Sequence, residues 1–151
     1  MDYNIDFIEY NPDNIEHKSL IMNITNDEET KEYFYDFERF VNNVMDDETG
    51  KVYISTICDV ATAVICLQII DGKYIMSYAL PPGKRGEGIG SFVVDVFTTR
   101  LLKRHKEINR LYLHIRPDNN PSRIVAARAG YVKDSSVRYV RKNPYIIKAN
   151  I

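Results

Sequence analysis

The sequence predicts a mixed α/β fold, with a central and largely antiparallel sheet flanked by helices. Three strand-like segments follow one another, at residues 52–58, 63–70 and 73–80. A glycine-rich turn and an apolar stripe at helical spacing come next, and a second strand and helix occupy residues 110–116 and 118–129. A strand–helix–strand unit inside an otherwise meandering set of strands favours a mixed sheet.

The first half of the chain reads as one strand followed by two helices. Loose alternation at residues 3–10 predicts a first strand, and a short helix is expected over residues 14–24. Asn26 followed by acidic residues is typical of a helix start. Apolar and aromatic residues at helical spacing between positions 33 and 44 then predict one helix, which Gly50 would end.

The second half supplies the remaining strands. The nearly continuous apolar run at 63–70 is typical of a strand covered on both faces. Asp71-Gly72 predicts a two-residue hairpin turn into the next strand. Residues 89–106 predict a helix with cations at its carboxyl end, where they complement the helix dipole. Two closing strands are expected at 131–132 and 136–141.

Length and composition indicate one globular domain over residues 1–151. A hydrophobic content of 44% and a net charge of −1 are ordinary values, so neither a nucleic acid nor a membrane is an expected partner. The sequence has no apolar run long enough to span a bilayer and no signal-peptide pattern, so the expected location is the cytoplasm.

The cysteines do not suggest a disulfide or a metal site. Cys58 and Cys66 lie in apolar, strand-like runs and are expected to be reduced, buried thiols. No cysteine and histidine residues have zinc-ligand spacing, so no metal is expected.

The glycine-rich turn has the features of an anion site. Gly86, Gly88 and Gly90 leave the backbone bare where the following helix begins. Bare amides and the positive end of the helix dipole favour an anion there, and Lys84 and Arg85 add two cations. The turn therefore predicts a phosphate or pyrophosphate ligand.

Two common phosphate loops do not match this turn. A P-loop needs a lysine where Ile89 follows Gly88, and the dinucleotide fingerprint needs a third glycine that is missing. What remains, Arg85-Gly-Glu-Gly-Ile-Gly90, resembles the Arg/Gln-x-x-Gly-x-Gly/Ala signature of the GNAT family of N-acetyltransferases. In that family the loop amides hold the pyrophosphate of acetyl-coenzyme A. The alternative is a turn that only packs a helix on the sheet.

A second block resembles the same family. Residues 111–131 follow its strand–asparagine–helix–glycine–aromatic order, and look most like the branch that acetylates the amino termini of ribosomal proteins. The matching residues are Pro117, Asp118, Asn119, Ser122, Val125, Ala126 and Gly130, with Tyr131 in place of a phenylalanine. The two blocks together cover residues from about 73 to 131.

The resemblance implies a set of cofactor-binding residues. In the family, the strands at 74–80 and 110–116 splay apart, and the exposed backbone holds the pantetheine arm and the acetyl carbonyl. The residues implied are Tyr78, Ala79, Leu80, Lys84, Arg85, Gly86, Glu87, Gly88, Ile89, Gly90, Ser91, Asn119 and Ser122. Arg116 and Arg123 are further candidates for contacts with phosphate or pantetheine.

The chemistry of acetyl transfer defines the catalytic candidates. An amine must lose a proton and attack a thioester carbonyl, the oxyanion needs donors, and the leaving thiolate should be protonated. Relatives of the second block have a glutamate base five residues before the asparagine, where this chain has His114. The alternative is a histidine satisfied by a backbone carbonyl.

This chain differs from the family at the position of the general acid. Its usual tyrosine lies seven residues after the asparagine, where this chain has Ala126. Ser122 is the substitute that we predict, and Tyr131 and Tyr139 are weaker candidates.

The resemblance implies an acetyl-coenzyme A dependent N-acetyltransferase. It would transfer an acetyl group to a primary amine of a peptide, protein or small acceptor, by direct attack in a ternary complex. One alternative is a coenzyme A-binding sensor or interaction module with weak or lost catalysis, and another is a nucleotide-phosphate binder.

The sequence does not identify the acceptor. Acidic residues in the early helices would suit a cationic amine; they are Asp36, Glu38, Asp46 and Asp47. The closing strand near residues 137–141 is a candidate for pairing in a homodimer.

Overall fold

The computed structural model describes residues 4–146 and confirms the mixed α/β class. The strands are β1 (Ile5–Glu9), β2 (Lys51–Ile57), β3 (Val60–Ile70), β4 (Lys73–Ala79), β5 (Arg110–His114), β6 (Val132–Ser135) and β7 (Arg138–Lys142). The helices are α1 (Ile15–Thr25), α2 (Glu28–Lys31), α3 (Phe37–Asp46), α4 (Ile89–Arg104) and α5 (Asn120–Arg128), and a 3₁₀ turn spans Pro82–Lys84. The seven strands form one sheet in the order β1-β2-β3-β4-β5-β7-β6, in which β4 and β5 are parallel and the other neighbours antiparallel.

The sheet has a hydrophobic core on each face. Met76, Val93 and Ala126 belong to one core, so this face packs against α4 and α5. The other core includes residues of α1 and α3, such as Ile21 and Val41. Residues 63–67 of β3 alternate between the two cores, so the apolar run is covered on both faces there as predicted. Ile69 and Ile70, at the end of the run, are exposed, and there the prediction was wrong.

One of the two cysteines lies in a hairpin turn, and the other lies in a strand. Asp71 and Gly72 have φ of 51° and 75°, as the predicted two-residue turn requires. Cys58 and Asp59 form a similar turn between β2 and β3, with φ of 50° and 65°. Cys58 is therefore exposed, and the prediction that it is buried was wrong. Cys66 is buried as expected, and burial raises its pKa to about 12.

One long helix was expected after Asn26, and the structure has two. Asp27 caps α2 by accepting a hydrogen bond from the Thr30 amide, and Asp36 caps α3 by accepting one from the Arg39 amide. The chain leaves the helical path between these caps, because the second cap starts a new helix. The apolar spacing continues across this break, which is why it predicted one helix.

The ends of the chain differ slightly from the prediction. The expected first strand begins at residue 3, which lies outside the described residues. β7 begins at Arg138 and is paired on both sides, with β5 and with β6. Among the described strands, the closing strand therefore has no free edge for pairing with a second copy, and this correction leaves β6 as the edge strand on this side of the sheet. Within residues 4–146, no helix combines the length and the apolar character needed to cross a membrane.

The parallel strands separate at the end that faces the glycine-rich turn. The β4–β5 pairing ends at Met76 and Leu113. Beyond it, β4 stays with β3 as far as Ala79, and β5 stays with β7 as far as His114. The predicted splay of these two strands is present, and it opens the sheet beside α5.

Candidate active site

A cavity of about 450 Å³ lies where β4 ends, between the glycine-rich turn, α2 and α5. Eleven of the residues implied by the family resemblance line it: Tyr78, Ala79, Leu80, Lys84, Arg85, Gly86, Gly88, Gly90, Ser91, Asn119 and Ser122. Glu87 and Ile89, which the resemblance also implied, are not among its lining residues. We call this space the loop cavity.

Gly88 is the N-cap of α4 and has a left-handed backbone, with φ of 76° and no side-chain capping bond. A β-carbon at Gly88 would meet no atom within 4 Å, so the backbone there is open to the cavity. The amides of the first helical turn lack intrahelical acceptors. The start of α4 therefore has the features that favour an anion, and anion binding there stays a prediction.

Two cations that line the loop cavity have no carboxylate partner among residues 4–146. Lys84 follows the end of β4, and Arg128 lies on the last turn of α5. Neither is in an ion pair with a described residue. Sequence reasoning missed Arg128, although its position three residues after Val125, another lining residue, puts both on one helix face.

Arg85 also lines the cavity, but its guanidinium is bound to α2. Its Nη1 lies 2.7 Å from Asp27 Oδ2 and 3.1 Å from Glu29 Oε2. Its Nη2 donates to Thr30 Oγ1 at 2.8 Å and to the Leu80 carbonyl at 2.9 Å. These contacts compensate much of the positive charge that the sequence assigned to phosphate binding.

A second cavity of about 140 Å³ lies at the separated ends of β4 and β5, and we call it the strand cavity. Ser77, Leu113, His114 and Arg116 are among the residues that line it. It shares a wall with the loop cavity, formed by Tyr33, Phe34, Tyr78, Asn119 and Ser122. The loop cavity and the smaller strand cavity therefore meet at one wall.

His114 faces the strand cavity from the end of β5. Its ring makes no hydrogen bond to a described residue, so the alternative of a ring satisfied by a backbone carbonyl is not what the structure shows. Partial burial, and then the positive charge of Arg138, lower its pKa below the ordinary 6.5. The imidazole is thus neutral at pH 7 and able to accept a proton.

The shared wall contains a short chain of hydrogen bonds. The Tyr78 hydroxyl donates to Ser122 Oγ at 3.0 Å, and the Ser122 amide donates to Asn119 Oδ1 at 3.3 Å. Asn119 is the N-cap of α5, so its side-chain oxygen holds the helix start. Burial raises the pKa of Tyr78 to about 12, although the bond to Ser122 acts in the opposite direction.

Sequence reasoning assigned only the backbone of Tyr78 to the site and missed its side chain. The missed signal is the alternation along β4, which puts Tyr78 on the same face as the core residue Met76 and hence on the side of α5.

The other predicted acid candidates lie away from both cavities. The Tyr131 hydroxyl is 2.7 Å from Thr98 Oγ1 in the core, and burial raises its pKa. The Tyr139 hydroxyl accepts a hydrogen bond from Arg123 at 3.0 Å. Neither tyrosine lines the loop cavity or the strand cavity, and Ala126 is fully buried.

The two arginines proposed for phosphate contacts have partners within the protein. Arg123 also donates to the Pro117 carbonyl at 3.1 Å and lines neither cavity. Arg116 lines the strand cavity, pairs with Asp118 at 2.9 Å and donates to the Glu32 carbonyl at 2.6 Å.

Known proteins share this fold. The chain resembles the aminoglycoside acetyltransferase AAC(6')-Ib in complex with coenzyme A, with a TM-score of 0.74, 14% identity and coverage of 94% of this chain and 96% of that one. It resembles the spermidine N-acetyltransferase of Vibrio cholerae in complex with coenzyme A and spermine, with a TM-score of 0.71, 12% identity and coverage of 92% and 95%.

A ribosomal L7/L12 alpha-N-protein acetyltransferase in complex with coenzyme A is also similar, with a TM-score of 0.68, 15% identity and coverage of 93% and 95%. It comes from the functional branch that the second sequence block resembles. No curated protein matches the sequence significantly.

The family itself is established by sequence. The model of the acetyltransferase (GNAT) family matches residues 14–131, which include both the glycine-rich turn and the second block. The fold of the described residues agrees with this match. The chain therefore belongs to the GNAT family of acetyltransferases.

Proposed function

We propose that this protein is an N-acetyltransferase that uses acetyl-coenzyme A and transfers the acetyl group directly to a primary amine. The observation that supports this most strongly is the meeting of the two cavities. The loop cavity has the features of an anion site, and the strand cavity carries His114. A coenzyme entering through one and an amine entering through the other would meet at the wall that contains Tyr78 and Ser122.

The residues of the loop cavity fit the coenzyme. The uncapped start of α4 suits the pyrophosphate, and Lys84 and Arg128 are cations without an ion-pair partner among the described residues. Apolar side chains on the same cavity, such as Val125 and Phe34, suit the pantetheine arm. Acetyl-coenzyme A would supply the thioester whose carbonyl carbon the amine attacks.

His114 is the base in this proposal. Its lowered pKa leaves the imidazole neutral near pH 7, so it can take a proton from the attacking amine. The amine must reach the shared wall from the side of His114, because both His114 and the wall residues line the strand cavity. Holding both reactants at one wall also lowers the entropic part of the barrier.

A calorimetric titration with acetyl-coenzyme A, beside ATP, tests the coenzyme site in wild type and in Gly88→Glu. We expect acetyl-coenzyme A to bind, ATP to bind much more weakly, and the variant to lose binding. A thiol-release assay then tests transfer to a panel of tripeptides, free amino acids, spermidine and kanamycin.

The two assays separate the alternatives. Coenzyme binding without thiol release on any amine would contradict the enzyme and favour a coenzyme A-binding module. No binding at all would mean that the glycine-rich turn only packs α4 on the sheet.

A further inference from the structure

Among the described residues, three side chains with a hydroxyl group line both cavities: Tyr33, Tyr78 and Ser122. Of these, Tyr78 and Ser122 are joined by a hydrogen bond of 3.0 Å, although 44 positions separate them in the chain. The inference drawn from this pair rests on the proposed function, because it concerns the reaction at the shared wall.

The bond leaves the Ser122 proton without a protein acceptor. A serine hydroxyl carries one proton and can accept through its lone pairs. Ser122 Oγ accepts from the Tyr78 hydroxyl, and it makes no other hydrogen bond within the described part of the chain. Its own proton is therefore available to an acceptor in the cavities.

The backbone of Ser122 is held in place on the opposite side. Its amide donates to Asn119 Oδ1 at the capped start of α5, and the same helix is anchored in the core by the fully buried Ala126. With the backbone fixed by the cap and the oxygen fixed by Tyr78, few orientations remain for the hydroxyl. This is the arrangement of a preorganised donor.

We propose that Tyr78 is a positioning residue that orients the Ser122 hydroxyl so that it donates a hydrogen bond to the departing thiolate sulfur. In this step the bond from the amine nitrogen to the acetyl carbon forms and the carbon–sulfur bond breaks. The electron pair of the broken bond stays on sulfur, and the amine proton goes to His114. Ser122 keeps its proton, and the thiolate is protonated by solvent after it leaves.

The ionisation of Tyr78 argues against its acting as the acid. Its pKa of about 12 lies far above the value near 8.5 of an ordinary thiol, so transfer of its proton to the thiolate would be unfavourable. A phenol that remains protonated at every working pH is, in contrast, a reliable donor to Ser122. The pair thus supplies a donor in a chain that has Ala126 at the family's tyrosine position.

Steady-state kinetics of four variants test this role. Tyr78→Phe keeps the ring and removes the hydroxyl, Ser122→Ala removes the donor, and the third variant combines both changes. We expect each single change to lower kcat about tenfold, the size of one lost hydrogen bond, with the KM for acetyl-coenzyme A within about twofold of wild type. The double variant should be no slower than Ser122→Ala, and Ser122→Thr should retain most of the activity.

The matched control is Tyr74→Phe. Tyr74 lies on the same strand and packs against the same core as Tyr78, but it lines neither cavity, so its kcat should be unchanged. The assay uses acetyl-coenzyme A with the amine of the panel that wild type acetylates fastest, and circular dichroism melting checks the fold of every variant.

Two results would overturn the inference alone: an unchanged kcat in Tyr78→Phe, or losses that multiply in the double variant. The second would mean that Tyr78 does not act through Ser122. Absence of turnover in wild type would instead overturn the proposed function, and this inference with it.

Discussion

The Arg85 guanidinium of the glycine-rich turn lies 2.7 Å from the carboxylate of Asp27, the residue that caps α2. The pair joins two segments that are 58 positions apart, and both the glycine-rich turn and α2 contribute lining residues to the loop cavity. Tyr33 and Phe34, which follow α2, line both cavities. The position of the shared wall therefore depends on an ion pair at the edge of the loop cavity.

Asp27→Asn should weaken this connection and lower stability by about 1 kcal/mol at pH 7, a value reduced for partial exposure of the pair. Asparagine still caps a helix, so the change removes the charge and leaves the cap. Urea unfolding of wild type and variant at pH 7 measures the difference. Glu28→Gln is the control on the same helix, because the Glu28 side chain is 89% exposed and should change stability little.

The same pair of proteins should show a defined dependence on pH. Burial alone would raise the pKa of Asp27, but hydrogen bonds from Arg85 and Thr30 and the charge of Arg85 hold it below 3.8. A carboxyl whose pKa is lowered on folding stabilises the protein above its unfolded-state pKa and loses this effect as the pH falls through the folded pKa. The difference between wild type and Asp27→Asn should therefore persist down to about pH 5 and shrink below pH 4. A difference that is constant from pH 7 to pH 3 would contradict the ion pair.

Gly88→Ala should weaken coenzyme binding about tenfold or more, because a β-carbon would stand where the amides approach the phosphates. Gly72→Ala is a matched control. Gly72 has φ of 75°, close to the 76° of Gly88, and a β-carbon there also meets no atom within 4 Å. Both changes impose a similar strain of about 1–2 kcal/mol, but Gly72 lies at the other end of β4, about 20 Å away.

Calorimetric titration with acetyl-coenzyme A and thermal melting separate the two effects. Both variants should melt at a similarly lowered temperature, and only Gly88→Ala should bind the coenzyme weakly. If the two variants bind it equally well, the turn does not hold the phosphates.

The order of strands and helices around the site could be predicted because it depends on patterns among residues that are close in sequence. Alternation, the Asp71-Gly72 turn and the helical stripe after Ile89 each involve neighbours in sequence. The family resemblance then assigned the loop and the second block to one site. The predicted residues that line the cavities come from these two segments, whereas Tyr33 and Phe34, which follow α2 and line both cavities, were not predicted.

What could not be predicted depends on contacts between distant segments. The bond from Tyr78 to Ser122 spans 44 positions, and the partners of Arg85 on α2 lie 55 to 58 positions away. No sequence pattern within β4 or α2 indicates which distant residue its side chains contact. The break between α2 and α3 was missed for a different reason, since the Asp36 cap interrupts a helix whose apolar spacing continues.

If His114 is the base, kcat/KM should fall as the pH drops through a pKa below 6.5, because protonation removes the base. An acceptor amine of low pKa, such as a hydrazide, keeps the ionisation of the acceptor itself out of this range. His114→Gln should lose about a hundredfold in kcat/KM and should lose this acidic limb. Arg138→Gln removes a charge that lowers the His114 pKa, so it should move the limb to higher pH.

His105→Gln is the control for these profiles, because His105 lies beyond α4, pairs with Glu107 and lines neither cavity. Its profile should match that of wild type. An acidic limb that survives unchanged in His114→Gln would assign the base to another group.

The charges around the strand cavity predict which amines are accepted. Its lining includes Arg116, whose charge Asp118 compensates only in part because both side chains are more than half exposed, and no carboxylate of a described residue lines it. The acidic residues that would suit a cationic acceptor are engaged elsewhere; for example, Asp36 caps α3 and Glu38 lies 3.7 Å from Lys18. An amine carried by a neutral or acidic acceptor should therefore be preferred over a polycation such as spermidine or kanamycin.

This preference can be tested with two tripeptides that differ only at the second residue, which is an aspartate in one and a lysine in the other. We expect kcat/KM to be several-fold higher for the aspartate peptide than for the lysine peptide. Arg116→Gln should reduce the ratio of these two kcat/KM values about threefold, because an exposed arginine contributes little free energy to an ionic interaction. Higher salt should reduce the ratio as well, because it screens the same attraction. Arg104→Gln, an exposed change at the end of α4 that leaves both cavities intact, controls for net charge and should leave the ratio unchanged. A higher kcat/KM for the lysine peptide would contradict this account of the cavity and would point to acidic groups that recognise the acceptor from outside it.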